Sequence, residues 1–326
     1  QGMQGYSHGW FNHTLIQKTV PEVPAAYIGG ESRFWLGPEY GQFSVFFDPG
    51  AEQVEANQRA PHDLDWKRFE LIDRDSLMVS YGGQMKVINA AGYEFDLKVM
   101  RRVKLLTSAL IQEKLKLESL AEVAQVAFET ETVVENYGND PFDPDSGLIA
   151  IWELGCMHTS PENVVIIPLD SDSAAITEYF TPLGERGLIR DKTLFYRADA
   201  EGINKIGILP ADVRPLMGSY DPSRELLSVV TFSFYPQDSL YVNSLPENKA
   251  PYAGDVINIF NGEVVPEINR DIPFFEFESS SSAGILHSGD QMYHRQSTYH
   301  FEGSPEALSP IAEAVFGLRL DQIPKL

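Results

Sequence analysis

Glu276 and Glu278 share one stretch of chain, Pro273–Gly303, with three of the seven histidines, His287, His294 and His300. Carboxylates and imidazoles are the side chains that most readily trade protons near neutral pH, so the stretch suits general acid–base chemistry. Side chains on a strand alternate faces. In Phe274–Ser280 that rule puts Glu276, Glu278 and Ser280 on one face and Phe275 and Phe277 on the other. Applied to Tyr293–Phe301, it groups His294, Gln296, Thr298 and His300 against Tyr293, Tyr299 and Phe301. The Glu/His side is either a solvated sheet face or the floor of a polar groove. In the groove reading Glu278 and His294 face one groove as a carboxylate and an imidazole suited to acid–base work, with His300 beside them as a ligand contact.

Two other segments hold groups of the same kind. Gly29–Phe47 sets Arg33, Trp35, Glu39 and Gln42 among glycines. An indole for apolar stacking, with a guanidinium and a carboxylate for hydroxyls, is how a protein grips a sugar ring. A tight hairpin with Trp35 in the core fits the segment equally well. In GLIAIWELGCM, Trp152 and Glu153 interrupt an apolar strand. Trp152 is a candidate sugar contact. A carboxylate in such a run must leave the core or be satisfied, and with no partner visible Glu153 is expected at an exposed edge.

Other chemistries find little footing. Cys156 is the only cysteine and sits in an apolar run, where a thiol packs as a small hydrophobe. His294 and His300 are too far apart along one strand to share an ion. Asn139–Gly147 (NDPFDPDSG) has a calcium loop's composition without its spacing, and reads as an acidic turn. Nucleophile elbow, phosphate loop and dinucleotide fingerprint are all missing, so neither a metal nor a cofactor is expected.

The elements that must position these groups are mostly strands. Short β-favouring runs recur from Tyr6–Ile16 to Ser239–Val242, Ser108–Lys116 among them, and Gly82-Gly83 looks like a hairpin turn after Leu77–Tyr81. Lys114–Ala127 reads as strand or helix. Pro305–Phe316, opened by Ser304 as cap and a first-turn proline, is the convincing helix. No linker divides the 326 residues, so one all-β domain is expected. The formal charge of -22 argues against nucleic acid or an anionic membrane as partner, and no apolar run has the length of a membrane span. Because the chain opens without a start methionine, a leader or first strand is expected to be missing, and the protein to be periplasmic or otherwise exported.

Two segments carry a family likeness. Tyr220–Tyr241 resembles the part of the galactose mutarotase-like group in which an Asp-Pro turn leads into a strand. Phe275–Phe301 resembles that group's C-terminal segment, with Ser288-Gly289-Asp290 at its turn. The group comprises aldose 1-epimerases and sugar-binding relatives. The resemblance implies a large antiparallel β-supersandwich with few short helices, a mono- or oligosaccharide partner, Glu278 as general base, and Arg33 near a sugar-contacting arginine. Arg33–Ser44 (RFWLGPEYGQFS) and His300-Phe301 are similar to a mostly bacterial branch. The histidine-bearing Asn-His-x-Tyr-Phe-Asn segment of mutarotases has no counterpart in Val133–Leu154, and His62 is followed by Asp63 where a glycine is usual. The acid therefore falls to His294 by position and elimination. Two functions stay open: mutarotase-like interconversion of anomers by Glu278 and His294, or a carbohydrate-binding protein on the same scaffold.

Overall fold

Alternating apolar and polar residues over short runs can be buried only by laying one sheet on another, and the computed structural model has this arrangement. It describes residues 7–13, 29–246, 248–268 and 270–326. The first strands are β1 (Arg33–Gly37), β2 (Glu70–Arg74), β3 (Met78–Ile88), β4 (Glu94–Leu105), β5 (Ala124–Asn136) and β6 (Ala150–His158). There follow β7 (Val164–Pro168), β8 (Ile176–Glu178), β9 (Gly187–Arg190), β10 (Thr193–Arg197), β11 (Glu201–Ile208) and β12 (Leu216–Asp221). The last are β13 (Leu226–Phe232), β14 (Ile257–Val265), β15 (Arg270–Asp271), β16 (Phe274–Ser280) and β17 (Gln291–Glu302). One sheet has the order β1-β6-β16-β14-β11-β8, with β15 added on β14; the other, of ten strands, runs β2-β3-β4-β5-β17-β13-β12-β7-β10-β9. All pairings between these strands are antiparallel. The α-helices among the described residues are α1 (His62–Asp65), α2 (Ser108–Leu115) and α3 (Pro305–Phe316). The all-β sandwich with few short helices is thus present. Among the described residues, no helix is long and apolar enough to cross a membrane.

Three local expectations are corrected. Gly82 and Gly83 continue β3 and do not turn the chain: they pair with Met100 and Val99 in the unbroken ladder between β3 and β4. Phe69 before β2 and Ile72 within it pack over the two glycines, 3.1 and 2.6 Å from where a Cβ would stand. Ser108–Lys116 is helical: Thr107 caps α2 by accepting from the Leu110 amide, and Lys116 ends it in the left-handed region at φ 56°. The strand expected over Tyr6–Ile16 lies partly outside the described residues; its described part forms one bridge, Gly9 to Met157.

The inner face of β16 carries Phe275 and Phe277 into a core with Val165, Ile167, Met217 and Val230 of the larger sheet. The outer face of β17 is sealed differently. Tyr299 and Phe301 pack with Leu308, Ile311 and Phe316 of α3, whose start is fixed by Ser304 as cap and Pro305 in the first turn. With its aromatic side covered by α3, β17 must turn its histidine side inward, toward the smaller sheet.

Candidate functional site

Cross-strand partners share a face, and the register of the smaller sheet places the outward-facing groups in two rows. One row is Arg33–Leu154–Glu278–Asn258–Gly207, the other Cys156–Glu276–Phe260–Lys205. Trp35 pairs with Trp152 one step further along β1 and β6. The polypeptide after β1 folds back over this face, contributing Glu39, Phe46, Glu55 and Gln58, and Phe180 closes another side. The result is a cavity of about 470 Å³ that Glu278, Glu276, Arg33, Lys205, Trp35 and Trp152 all line. Its size and aromatic walls are those of a small-molecule site.

Glu278 is 1 % exposed. Its Oε2 accepts from Trp152 Nε1 at 3.0 Å and lies 3.1 Å from Lys205 Nζ. Its Oε1 has no hydrogen-bond partner, and a buried acceptor without a donor invites a ligand hydroxyl. Burial, opposed by Lys205 and reinforced by Glu276 and Glu39, raises the Glu278 carboxyl from its ordinary 4.5 to about 7. Lys205 also reaches Glu39 Oε2 at 3.2 Å and stands 4.6 Å over the Trp152 ring. Burial works to lower its pKa, but Glu278 and Glu39 outweigh that and raise it, so Lys205 stays a cation. Glu39 is steadied in turn by Gln58 Nε2 at 3.1 Å.

Arg33 pairs with Glu276 at 3.0 Å and lies 4.1 Å over the Trp35 ring. Trp35 packs against Phe46 and Trp152 at 4.9 and 5.7 Å between ring centroids. Trp35 thus serves the core and the cavity together, and its Nε1 has no hydrogen-bond partner. Cys156 Sγ donates to Glu276 at 3.0 Å and is buried, with its pKa pushed up chiefly by burial. A thiol so held is no nucleophile.

Of the residues singled out from sequence, Glu278, Arg33, Trp35, Glu39 and Trp152 meet in this cavity; His294 and His300 do not. His294 Nε2 bonds Ser279 Oγ at 2.7 Å, and Ser279 follows Glu278 on the strand and so points to the opposite face. Ser279 gives its proton to Gln296 Oε1, so His294 donates from Nε2 and accepts at Nδ1 from Ser233. Burial holds the imidazole neutral, its pKa lowered to about 4. The parity that grouped the histidines is right, but their face is the layer between the sheets. His300 lies elsewhere in that layer, 2.8 Å from Ser228 Oγ and 3.3 Å from Glu31 Oε2. Burial works against ionised Glu31, yet hydrogen bonds from His300 and the Gly9 amide hold its carboxyl down at about 2.

Glu153 corrects another expectation. It is 1 % exposed, and Arg101 Nη1 and Nη2 grip its carboxylate at 2.7 and 2.6 Å across the two sheets. Asp143 in the acidic turn spends Oδ1 on the amides of Asp145 and Ser146. Among the described residues, no cluster of three or more His, Cys, Asp or Glu is placed to hold a metal ion.

Sequence reasoning missed Lys205, and Glu276 as the partner of Arg33. The signal for Lys205 was a charged residue inside the apolar run Ile203–Ile208, the same kind of interruption that drew attention to Glu153.

Comparison with known proteins adds a family and a fold. The chain belongs to a family of unknown function, DUF6786, whose model matches residues 1–326. No curated protein matches it in sequence. Among solved structures it is similar to the Slr1438 protein of Synechocystis, at 11 % identity and TM-score 0.53, over 91 % of this chain and 85 % of that one. A galactose mutarotase related enzyme of Lactobacillus acidophilus matches at 8 % identity and TM-score 0.43, over 76 % and 75 % of the two chains. A galactose mutarotase-like protein of Lactobacillus casei matches at 11 % and 0.41, over 83 % and 84 %. At such identities the likeness is one of fold.

Proposed function

We propose that this member of the family is a carbohydrate-binding protein, and that its cavity holds a sugar with a ring hydroxyl donating to Glu278 Oε1. The observation that carries the reading is Glu278 itself: a buried carboxylate with one oxygen held by Trp152 and Lys205 and the other unpartnered, in an aromatic-walled cavity. Indole and phenyl faces suit the apolar side of a sugar ring, and the arginine, lysine and carboxylates suit its hydroxyls. The resemblance of Phe275–Phe301 to the mutarotase C-terminal segment, with Glu278 at the base position, supports the same reading.

A second reading, mutarotase-like catalysis, is favoured by the Glu278 carboxyl being poised at about 7. Glu278 would take the proton of the anomeric hydroxyl as the bond from C1 to the ring oxygen breaks. The ring oxygen would gain a proton, and the open-chain aldehyde could reclose with either configuration. The step needs an acid. None of the seven histidines lines the cavity, and the cations that do, Lys205, Arg33 and Arg59, are each already paired with a carboxylate. Binding without turnover is therefore the better supported of the two.

Calorimetric titration with a panel of aldoses and disaccharides tests the binding, and polarimetry of freshly dissolved aldoses tests the turnover. Sugar binding that Glu278→Gln weakens, with no acceleration of mutarotation, is the expected result. Acceleration abolished by Glu278→Gln would establish the enzyme reading instead, and failure to bind any sugar would sink both.

A further inference from the structure

Three cations line the cavity, and each already has a carboxylate partner, Arg59 in a solvent-exposed pair with Asp48. Arg33 is held by Glu276, and Lys205 lies between Glu39 and Glu278. Lys205 is 3 % exposed and Glu276 7 % exposed, so these pairs are sheltered from the water that would loosen them. Resting on the reading that the cavity binds a sugar, we propose that Glu39 and Glu276 are specificity-determining residues: by occupying Lys205 and Arg33 they make the site take an uncharged sugar and turn away sugar acids.

Two buried polar atoms of residues lining the cavity, Glu278 Oε1 and Trp35 Nε1, have no hydrogen-bond partner and point to the same ligand chemistry. Glu278 Oε1 can only accept while ionised, and Trp35 Nε1 can only donate. A hydroxyl group, which both donates and accepts, suits either one. A fully ionised carboxylate or phosphate cannot donate to ionised Glu278 and would bring a like charge against it. To bind, it would have to strip Arg33 from Glu276 or Lys205 from Glu39, leaving a sheltered carboxylate unpaired, which is a costly exchange. Rejection by such like-charge contact is a recognised route to specificity.

The arrangement also says how the preference would be weakened. With Glu276 replaced by glutamine, the guanidinium of Arg33 over Trp35 loses the carboxylate charge that balances it, and a guanidinium without that counter-charge is a stronger partner for a ligand carboxylate.

The test is calorimetric titration of the full chain with D-glucose, D-galactose, maltose and lactose, and with D-glucuronate and D-galacturonate. Wild type, Glu276→Gln and Glu39→Gln are compared, with circular dichroism to verify folding; should Glu276→Gln fail to fold, Glu39→Gln makes the same test through Lys205. The expected result is a wild type that favours the uncharged sugars by at least about tenfold, and variants whose ratio of uronate to neutral affinity rises by on the order of tenfold. A wild type that prefers uronates overturns the inference and leaves the sugar reading standing. So does an unmoved ratio in the variants. A wild type that binds none of the sugars overturns both.

Discussion

Lys205 Nζ lies 3.1 Å from Glu278 Oε2, so the carboxyl at the centre of the cavity titrates against a fixed neighbouring cation. Lys205→Met removes the largest influence that lowers the Glu278 pKa and leaves burial, Glu276 and Glu39 to raise it. The pH at which half of Glu278 is ionised should move up by about one unit or more. Carbon NMR of labelled glutamate carboxyls across pH 5–9 would measure it. An unmoved titration would show that Lys205 is spent on Glu39 alone.

Glu278 also links stability to pH. Its folded pKa is raised, from 4.5 to about 7, so its favourable contribution is full below 4.5 and is lost as pH rises through 7. Glu278→Gln escapes that loss. Relative to wild type, the variant should gain stability between pH 5 and pH 8 by up to roughly 3 kcal/mol. Urea unfolding at the two pH values gives the difference, and a constant difference would contradict the shift.

His294 works in the opposite direction. Its folded pKa is depressed from 6.5 to about 4, so its contribution is full above 6.5 and is lost as pH falls toward 4. Wild type should lose roughly 3 kcal/mol from this group alone over that interval. Replacement by glutamine should flatten the acid limb of the unfolding curve, and an acid limb of unchanged depth would show that other groups, His8 among them, govern it.

The Arg101–Glu153 pair is buried between the sheets and bidentate. Glu153→Leu strands the guanidinium and should cost about 3–5 kcal/mol, whereas Arg101→Met with Glu153→Leu should recover most of that loss. Chemical unfolding of both single variants and the double variant completes the cycle. A double variant no better than the singles would mean that Thr132 and Ser32, also bonded to Arg101, depend on the charge.

The alternation of Phe274–Ser280 was legible in the sequence because period two is local, and the strand indeed turns Glu276 and Glu278 one way and Phe275 and Phe277 the other. The same counting sorted His294 and His300 from Tyr299 and Phe301. Which side of β17 faces the other sheet was not legible, since α3 decides it by covering the aromatic side. Lys205 was hidden for a similar reason. It comes from β11, two strands away from β16, and only the register through β14 brings it to Glu278. Glu153 pairs with a residue 52 positions away on the other sheet, and nothing near it in sequence announces Arg101.

The indole of Trp152 donates to Glu278 and lies beneath the Lys205 ammonium. Its excited state therefore sits in the local field of the very groups that a ligand would touch. The protein contains its own optical gauge of cavity charge. Emission from Trp152 should shift as Glu278 ionises near pH 7 in the empty protein and shift again on occupancy, and Trp152→Phe should erase that component while the other three tryptophans go on emitting.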